Sequence, residues 1–488
     1  MSAQTIGRAM ESWTFPPAYD PGYRPNDTQR YWHPVRETML PDERDAAIAV
    51  RLRDVMRHAY ASSPFYRRKW DDAGVDPESV RTLEDFERVP VVTKAELRAS
   101  QIAHPPFGDY VCVPDEEIHH IHGTSGTTGK PTAFAIGRRD WAAIGENHAR
   151  ILWAMGFRPG DTIFFGAIFS LYLGSWGAML GAERIGCRSF PFGAGAQGMT
   201  ARAAQWLDMV KPAGFYGTPS YALRLAEVAR EEGYDPRSFG LRVMFFSGEP
   251  GASIPSVRDR IEAEFGARAI DSGTMAEMTP FMSAAGSYET HDGMLLHQDL
   301  VYHEVCDPAT LRRVPYGSQG TPVYTHLERT SQPMIRLLSG DLTHWTMEEN
   351  PCGRTFPRFP NGVYGRIDDM FQIRGENVYP SEIDSVCNAV PGYGGEHRIH
   401  VTRERTMDEL LVRAEYDGAT AHAGDAAVAA FRSRLAERLR TVLGVGANVE
   451  AVPPGTYERT DFKARRVVDD RNLYGALFER THAPNDVR

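Results

Sequence analysis

The sequence predicts an α/β fold with two domains, and three observations support this prediction. First, the chain has 488 residues, which is too long for a single hydrophobic core. Second, short apolar runs over residues 162–165 and 243–246 alternate with segments of helical periodicity. This alternation is typical of buried strands that are connected by helices. Third, the composition changes near residue 365, where a polar and turn-rich segment interrupts the chain.

The larger, N-terminal part contains the elements that are predicted to build the sheets. Apolar residues recur at helical spacing over 44–61, which predicts an amphipathic helix at the start of the fold. Helical patterns over 201–210, 221–232 and 256–265 accompany the apolar runs. The uncharged stretch 162–182 is long enough to cross a bilayer, but its glycines and hydroxyl residues favour a buried strand followed by a buried helix.

The smaller, C-terminal part is predicted to be an α+β domain. A strand-like run over 410–416 and an amphipathic helix over 423–443 follow the turn-rich segment, which is a candidate hinge. We therefore expect one domain over residues 1–367 and a second domain over residues 368–488.

Composition and charge exclude several classes of partner. The formal net charge is −10 and no long basic run is present, so nucleic acid is disfavoured as the main partner. The five cysteines are scattered and never lie in C-x-x-C spacing, which is typical of a reduced compartment. The N-terminus lacks the apolar region of a signal peptide. We expect a cytoplasmic protein with no membrane partner.

The run GTSGTTGKPT over residues 123–132 predicts a loop that binds the phosphates of a nucleotide. Glycine lets the backbone approach a phosphate closely, hydroxyl groups donate hydrogen bonds, and lysine adds a positive charge. A Walker A loop is excluded because Thr124 and Pro131 stand where that motif requires glycine and Ser/Thr. A glycine-rich surface turn is the plain alternative. The predicted phosphate-binding residues are Thr124, Ser125, Gly126, Thr127, Thr128, Gly129 and Lys130.

Further segments, in order along the chain, resemble motifs of the adenylate-forming superfamily, and of its phenylacetate–CoA ligase branch in particular. They are MFFSGEP over 244–250, DSGTMAE over 271–277, SGDLT over 339–343, GRIDDMFQIRGENVYPSEI over 365–383 and ERTDFKA over 458–464. The segments YWHPVRETM over 31–39 and SPFYR over 63–67 also resemble the start of this branch. The resemblance implies a large N-terminal domain with several sheets flanked by helices, and a small mobile C-terminal lid domain.

The resemblance also implies roles for individual residues. Lys463 would offset the negative charge that develops on the α-phosphate, Glu277 would help to hold Mg²⁺, and Thr128 would take part in catalysis. For Lys463 and Glu277 the plain alternative is a solvated side chain, and for Asp341, a further implied nucleotide contact, it is a turn-forming aspartate. Residues 458 and 462, glutamate and phenylalanine here, depart from the proline and glycine of the last motif. The other implied nucleotide contacts are Gly248, Glu249, Pro250, Asp271, Ser272, Gly273, Thr274, Asp341 and Arg366.

Two further features are implied for the second substrate and the acid. The small domain would turn about Asp368 and present Gly375 to the channel for the pantetheine arm, although Gly375 fits an ordinary turn equally well. The acid pocket is expected to be lined by aromatic residues, which favour an aryl or arylalkyl acid but are also common in plain cores. The pocket candidates are Phe169, Tyr172, Trp176, Tyr216, Tyr221 and Gly248.

A transition metal is not expected. Some relatives in the branch hold a structural zinc ion in a Cys/His patch, and here only His291, His297 and Cys352 stand at comparable places. Since a closed zinc site needs four nitrogen or sulfur ligands, we expect no zinc.

The leading hypothesis is an ATP- and Mg²⁺-dependent ligase that joins an aromatic acid to coenzyme A through an acyl adenylate. In a second hypothesis the activated group passes to a separate carrier protein, an amine or another nucleophile, or the activated oxyanion is not a carboxylate. A third hypothesis is a nucleotide-binding protein without catalysis. The resemblance also implies a homodimer.

The substitution Lys463→Ala tests the implied catalytic lysine. Loss of one preorganised charge contact should lower the rate of adenylate formation by roughly 10²–10³-fold, measured as ATP–pyrophosphate exchange. Near-normal exchange in this variant would contradict the assignment.

Overall fold

A computed structural model describes most of the chain. The described residues are 13–124, 132–171, 173–193, 199–249, 251–273, 275–278, 282–363, 365–366, 371–373, 376–402, 409–457 and 466–469. They divide into two compact units, Met1–Val363 and Tyr364–Arg488. The predicted boundary between residues 367 and 368 lies outside the described residues and stays a prediction.

The N-terminal unit begins with five helices around one apolar cluster. They are α1 (Pro34–Glu37), α2 (Pro41–Ser62), α3 (Pro64–Asp72), α4 (Leu83–Phe86) and α5 (Lys94–Ala103). Helix α2 is the predicted amphipathic helix, and its residues Ile48, Leu52 and Val55 are fully buried. Helix α5 starts at a capping box, in which Thr93 and Glu96 each satisfy a backbone N–H of the first turn.

A sheet of eight strands forms the centre of this unit. In spatial order its strands are β14 (Arg358–Phe359), β9 (Met294–Leu296), β8 (Ala284–Ala285), β7 (Arg268–Gly273), β6 (Val243–Phe246), β5 (Gly214–Gly217), β3 (Thr162–Phe165) and β4 (Arg188–Phe190). Strands β7, β6, β5, β3 and β4 are parallel, whereas β8, β9 and β14 pair antiparallel at one side. The two apolar runs of the sequence are β3 and β6.

Helices cover both faces of the parallel strands. They are α6 (Arg138–Ala154), α7 (Leu173–Ile185), α8 (Met199–Val210), α9 (Pro219–Glu231) and α10 (Pro255–Phe265). Val243 and Phe245 pack with α6 and α7, while Met244 and Phe246 pack with α8, α9 and α10. Successive residues of a strand thus enter opposite cores. The uncharged stretch 162–182 is β3 followed by most of α7, and no helix among the described residues is long and apolar enough to cross a membrane.

Smaller antiparallel elements complete the N-terminal unit. Strands β1 (Ile118–Gly123) and β2 (Ala133–Gly137) form a hairpin. A second antiparallel sheet pairs β10 (Val301–Cys306) with β11 (Gln319–His326), which also pairs with β12 (Leu337–Leu338) and β13 (Asp341–His344).

Buried ion pairs attach the YWHPVRE segment to the rest of the unit. Arg36 lies 2.9 Å from Asp299 and 2.7 Å from Glu328. Asp299 also accepts two hydrogen bonds from Arg150, and these cations hold the pKa of its carboxyl well below the usual range despite burial. Close pairing of this kind is what lets charged groups stay in a core.

The C-terminal unit has its own sheet and core. Strands β18 (Tyr393–Thr402) and β19 (Glu409–Tyr416) are antiparallel, with β20 (Asn448–Val452) and β21 (Val467–Asp469) added in parallel. Its helices are α11 (Pro380–Ala389), α12 (Gly418–His422) and α13 (Asp425–Leu443), and the short strands β15 (Gly365–Arg366), β16 (Phe371–Ile373) and β17 (Glu376–Val378) precede them. The predicted strand 410–416 and helix 423–443 correspond to β19 and α13. All five cysteines of the chain are buried and free.

Removal of Arg354 tests the contribution of the buried ion pairs. Arg354 donates to Glu37 at 2.7 Å and both side chains are fully buried, so Arg354→Ala leaves an unpaired buried carboxylate. We expect the free energy of unfolding to fall by about 3–5 kcal/mol, measured by denaturant titration. Arg88→Ala is the control, because Arg88 pairs with Asp85 at the same 2.7 Å but is 68% exposed. That change should cost less than about 1 kcal/mol, and equal losses in the two variants would contradict the argument.

Candidate active site

The parallel strands bring several of the predicted site segments to one edge of the central sheet. Strands β3, β5, β6 and β7 run in the same direction, so the loops after their carboxyl ends lie side by side. Such an edge is the usual ligand site of an open α/β sheet. The predicted residues Phe169, Gly248 and Gly273 lie at or just after these strand ends.

The β1–β2 hairpin closes the base of the predicted phosphate loop. The N–H of Thr124 donates to the carbonyl of Thr132 at 3.0 Å, and the Thr124 hydroxyl accepts from the N–H of Thr132 at 3.2 Å. A Cβ at Gly123 would meet the same carbonyl at 2.5 Å, so only glycine fits there. Residues 125–131 lie outside the described residues, and the roles of Ser125, Gly126, Thr127, Thr128, Gly129 and Lys130 stay predictions.

The loop after β3 is joined to this hairpin. The carbonyl of Leu171 accepts from the N–H of Gly123 at 3.3 Å and lies 3.1 Å from Nδ1 of His122. Burial lowers the pKa of His122, so the ring is neutral at neutral pH and Nδ1 carries the donated hydrogen. Sequence reasoning did not identify His122 or this connection.

The SGEP segment forms the loop after β6. Gly248 has a φ of 94°, a conformation that strains residues with a side chain. The Ser247 and Tyr216 hydroxyls are 2.5 Å apart in the core. The carboxylate of Glu249 accepts from the N–H of Ser220 at 2.7 Å, in the first turn of α9. This contact gives Glu249 a structural role beside its predicted nucleotide contact, while Pro250 lies outside the described residues.

The segment at the end of β7 contains a buried carboxyl group. Asp271 accepts from the N–H of Ser253 at 3.0 Å, and burial raises the pKa of Asp271 to about 6. Ser272 donates to the carbonyl of Phe246 at 2.7 Å and thereby joins β7 to the end of β6. Thr274 lies outside the described residues.

Glu277 lies in a 3₁₀ turn, Ala276–Met278, with its side chain 12% exposed. The ammonium group of Lys94, the first residue of α5, lies 3.7 Å from the Glu277 carboxylate. Sequence reasoning missed Lys94, and its only signal was the capping box around it. Among the described residues, no group of three or more His, Cys, Asp or Glu side chains is arranged to hold a metal ion.

The remaining nucleotide-binding candidates fall in different places. Asp341 is the first residue of β13, and its N–H donates to the Ser339 hydroxyl at 3.0 Å after the left-handed Gly340. Arg366 lies in β15 of the C-terminal unit. Lys463, Asp368 and Gly375 lie outside the described residues.

Arg466 is the first described residue after Lys463, and ion pairs hold its side chain. Arg466, directly before β21, lies 3.2 Å from Glu396 and 3.8 Å from Asp384. The two carboxylates raise the pKa of Arg466 despite its burial. These partly buried ion pairs hold Arg466 in place at the start of β21.

The aromatic pocket candidates pack against one another. Phe169 meets Trp176 edge-on with ring centroids 5.4 Å apart, and Phe165 lies 6.1 Å from Phe169. Tyr216 continues this row at 6.3 Å from Phe165. Tyr221 instead packs in the core on the opposite face of the sheet, and its pocket role stays a prediction. Tyr172 lies outside the described residues.

The three residues that were considered as zinc ligands each have different neighbours in the structure. His291 contacts Arg268, whereas His297 is buried against Phe356. Cys352 is buried in a cluster with Leu295 and Phe356. The prediction that no zinc binds stays a prediction.

Comparisons with known proteins show that this chain is similar to AMP-binding enzymes. Family models described as "AMP-binding enzyme" and "AMP-binding enzyme C-terminal domain" match residues 49–324 and 375–471. The phenylacetate-coenzyme A ligase of Thermus thermophilus is 34% identical over 453 residues, 90% of this chain and 99% of that relative.

Two solved structures of 2-hydroxyisobutyryl-CoA ligase are each 63% identical to this chain and match 96% of it and 98% of their own length. The structure in the postadenylation state, in complex with R3-HIB-AMP, has a TM-score of 0.92. The structure in the thioesterification state, in complex with 2-HIB-AMP and CoA, has a TM-score of 0.73.

The raised pKa of Asp271 predicts a dependence of stability on pH. Its ordinary pKa is 3.8 and its folded pKa is about 6, so the folded protein keeps the proton that the unfolded chain releases. Stability should therefore fall as the pH rises from 4 to 7, by about 3 kcal/mol relative to Asp271→Asn. Urea titrations of both proteins across this range measure the difference. Asp259→Asn, at a side chain that is 66% exposed, is the control and should run parallel to the unsubstituted protein. Parallel curves for Asp271→Asn would contradict the prediction.

Proposed function

The chain belongs to the AMP-binding enzyme family, and from this premise we propose that it is an AMP-forming ligase that joins a small carboxylic acid to coenzyme A. The observation that carries the proposal is the 63% identity, over 96% of this chain, to a ligase solved with an acyl adenylate and with CoA. The MFFSGEP and DSGTMAE segments, which lie at the ends of the neighbouring parallel strands β6 and β7, support it.

The first half-reaction joins the acid to AMP. A carboxylate oxygen attacks the α-phosphorus of ATP, the bond to the bridging oxygen of the β-phosphate breaks, and pyrophosphate leaves. Two anions must approach each other, so the site has to neutralise charge and hold the reacting groups in line. In this proposal the phosphate loop that begins at Thr124 and the cation of Lys463 provide these contacts, and Asp341 accepts hydrogen bonds from the ribose.

Mg²⁺ fits the donor set at Glu277. This carboxylate is mostly buried, and the described cation nearest to it, Lys94, is at 3.7 Å, longer than a direct hydrogen bond. A single carboxylate suits an ion that takes its other ligands from phosphate oxygens and water. When bound, the ion would supply positive charge to the leaving pyrophosphate, while Glu277 would hold it in place.

The second half-reaction transfers the acyl group to sulfur. The thiol of coenzyme A attacks the acyl carbon, the bond to the phosphate oxygen breaks, AMP leaves, and the thiol proton is released. We propose that the C-terminal unit turns about Asp368 between the two steps and that Gly375 leaves room for the pantetheine arm.

For the acid we propose a short hydroxy acid. The ligase with 63% identity was solved with the adenylates of such acids, and the Tyr216–Ser247 hydroxyl pair offers a polar contact at the strand ends where the acid is expected. The predicted aryl acid is the second candidate. It is supported by the row of Phe165, Phe169 and Trp176 and by the phenylacetate-coenzyme A ligases among the relatives.

Assays with paired acids test these proposals. ATP–pyrophosphate exchange and CoA thioester formation are measured with 2-hydroxyisobutyrate, isobutyrate and phenylacetate. We expect both reactions with 2-hydroxyisobutyrate, whereas a preference for phenylacetate would favour the aryl acid. Exchange without a CoA product would favour transfer to a carrier protein or another nucleophile, and no exchange with any acid would favour a non-catalytic nucleotide-binding protein.

Ser247→Ala tests the hydroxyl contact. The variant should lose about tenfold in kcat/KM for 2-hydroxyisobutyrate, because one neutral hydrogen bond is removed. Isobutyrate, which lacks the hydroxyl, serves as the internal control and should be used equally well by both proteins. An equal loss with the two acids would reject the contact.

The cytoplasmic location and the dimer stay predictions.

A further inference from the structure

We propose that His326 and Arg329 are positioning residues for the adenylation step, because they fix the turn that carries Glu277 against the strand that leaves the phosphate loop. The proposal rests on the proposed function. It concerns His326, the last residue of β11, and the segment between β11 and β12, which contains no predicted site residue.

Both backbone carbonyls at the end of the Glu277 turn are held by these two side chains. Nη1 of Arg329 donates to the carbonyl of Glu277 at 3.3 Å. His326 places Nε2 2.9 Å from the carbonyl of Met278, and its Nδ1 accepts from the N–H of Met334 at 3.0 Å. Since Nδ1 is an acceptor, Nε2 carries the hydrogen and is the donor. These hydrogen bonds fix the backbone of the turn, and the backbone in turn sets the direction of the Glu277 side chain.

The same guanidinium reaches the other side of the site. Nη2 of Arg329 donates to the carbonyl of Ala135 at 3.0 Å, within β2, which follows the phosphate loop directly. Gln332 accepts from the N–H of Ala135 at 3.0 Å and so holds the same residue of the strand. A rigid planar fork can join two carbonyls in this way, and a lysine ammonium cannot reproduce its geometry.

The segment that carries Arg329 is itself anchored from the opposite side. Asp140, in the first turn of α6, accepts from the N–H and hydroxyl of Thr330 at 2.8 and 2.9 Å and from the N–H of Ser331 at 2.8 Å. Asp140 is 1% exposed. These bonds leave the segment little freedom, so a shift of Arg329 would be passed to both elements that it joins.

Arg329 also places a buried charge close to the site. Its side chain forms no ion pair within the described part of the chain, and its hydrogen bonds go to carbonyl groups. Burial lowers the pKa of Arg329 to about 10, which still keeps the guanidinium charged at neutral pH. A preorganised cation behind Glu277 favours the binding of phosphate oxygens without any rearrangement.

The proposed role concerns the first half-reaction and not the second. Pyrophosphate leaves after the first step, and Mg²⁺ and the phosphate contacts act on ATP, so thioester formation from a supplied acyl adenylate does not need the turn. A residue that only supports the fold would affect both steps equally.

Four variants and one control test the proposal. Arg329→Lys and Arg329→Met remove the guanidinium that joins the carbonyls of Glu277 and Ala135. His326→Leu removes the imidazole donor to the carbonyl of Met278. His326→Gln keeps a donor near Nε2 and should restore function. The control is Arg336→Lys, another buried arginine of the same segment, which pairs with Glu304 and with the carbonyls of Glu87 and Val89 away from the turn.

Three measurements are made on each full-length protein. They are ATP–pyrophosphate exchange as a function of Mg²⁺, thioester formation from synthetic acyl adenylate and CoA, and calorimetric ATP binding with and without Mg²⁺. For both Arg329 variants and His326→Leu we expect exchange to fall by roughly 10- to 100-fold with a higher Mg²⁺ requirement, while thioester formation stays within about twofold. His326→Gln should lie near the unsubstituted protein, and Arg336→Lys should change both half-reactions alike.

Calorimetry separates this proposal from the proposed function, since it needs no turnover. The disrupted variants should lose the part of the ATP affinity that depends on Mg²⁺, even if no acid is a substrate. Equal losses in both half-reactions, or an unchanged Mg²⁺ dependence of ATP binding, would overturn the positioning role. Absence of all activity in the unsubstituted protein would overturn the proposed function alone.

Discussion

The parallel alignment of β3, β5, β6 and β7 is the constraint on which the site depends. Parallel strands in register place all their carboxyl ends at one edge, and helices on both faces leave that edge as the place where loops can meet a ligand. Residues that are distant in the sequence, such as Leu171, Ser247 and Ser272, therefore lie at or just after neighbouring strand ends. The hydrogen bonds from Ser272 to the end of β6, and from His122 to the loop after β3, hold these loops in fixed relation.

Buried charges hold the surroundings of this edge together. The pairs of Arg36, Arg150 and Asp299 connect the N-terminal segment, helix α6 and the segment before β10. Such groups are costly to bury and tolerate few alternative arrangements, which makes them suited to fixing one geometry. The YWHPVRE segment thus has a physical explanation in this chain: its tryptophan and histidine contact Glu146, and its arginine and glutamate form buried pairs.

The sequence was sufficient for the fold and for the family, and insufficient for the contacts within the site. Short apolar runs correctly located β3 and β6, and helical periodicity correctly located α2 and α13, because burial constrains the order of apolar residues. The resemblance to adenylate-forming enzymes is confirmed by the family model that matches residues 49–324 and by the relative that matches 90% of this chain. The contacts of Lys94, His326 and Arg329 with the Glu277 turn could not be predicted in this way, since they join residues that are distant in the sequence. An aromatic residue of a core and one of a pocket look alike in sequence, so the sequence alone could not assign Tyr221 to either surrounding.

The burial of all five cysteines has a practical consequence for studying the protein. Burial raises the pKa of Cys187 and Cys306 to about 12, so these thiols are protonated and shielded at neutral pH. Because the thiolate is the reactive form, these buried thiols are poor partners for a mixed disulfide with coenzyme A. A single cysteine introduced on the surface of each unit would be the site that reacts with a fluorescent maleimide. The native sequence is therefore a suitable background for testing the proposed rotation of the C-terminal unit by energy transfer.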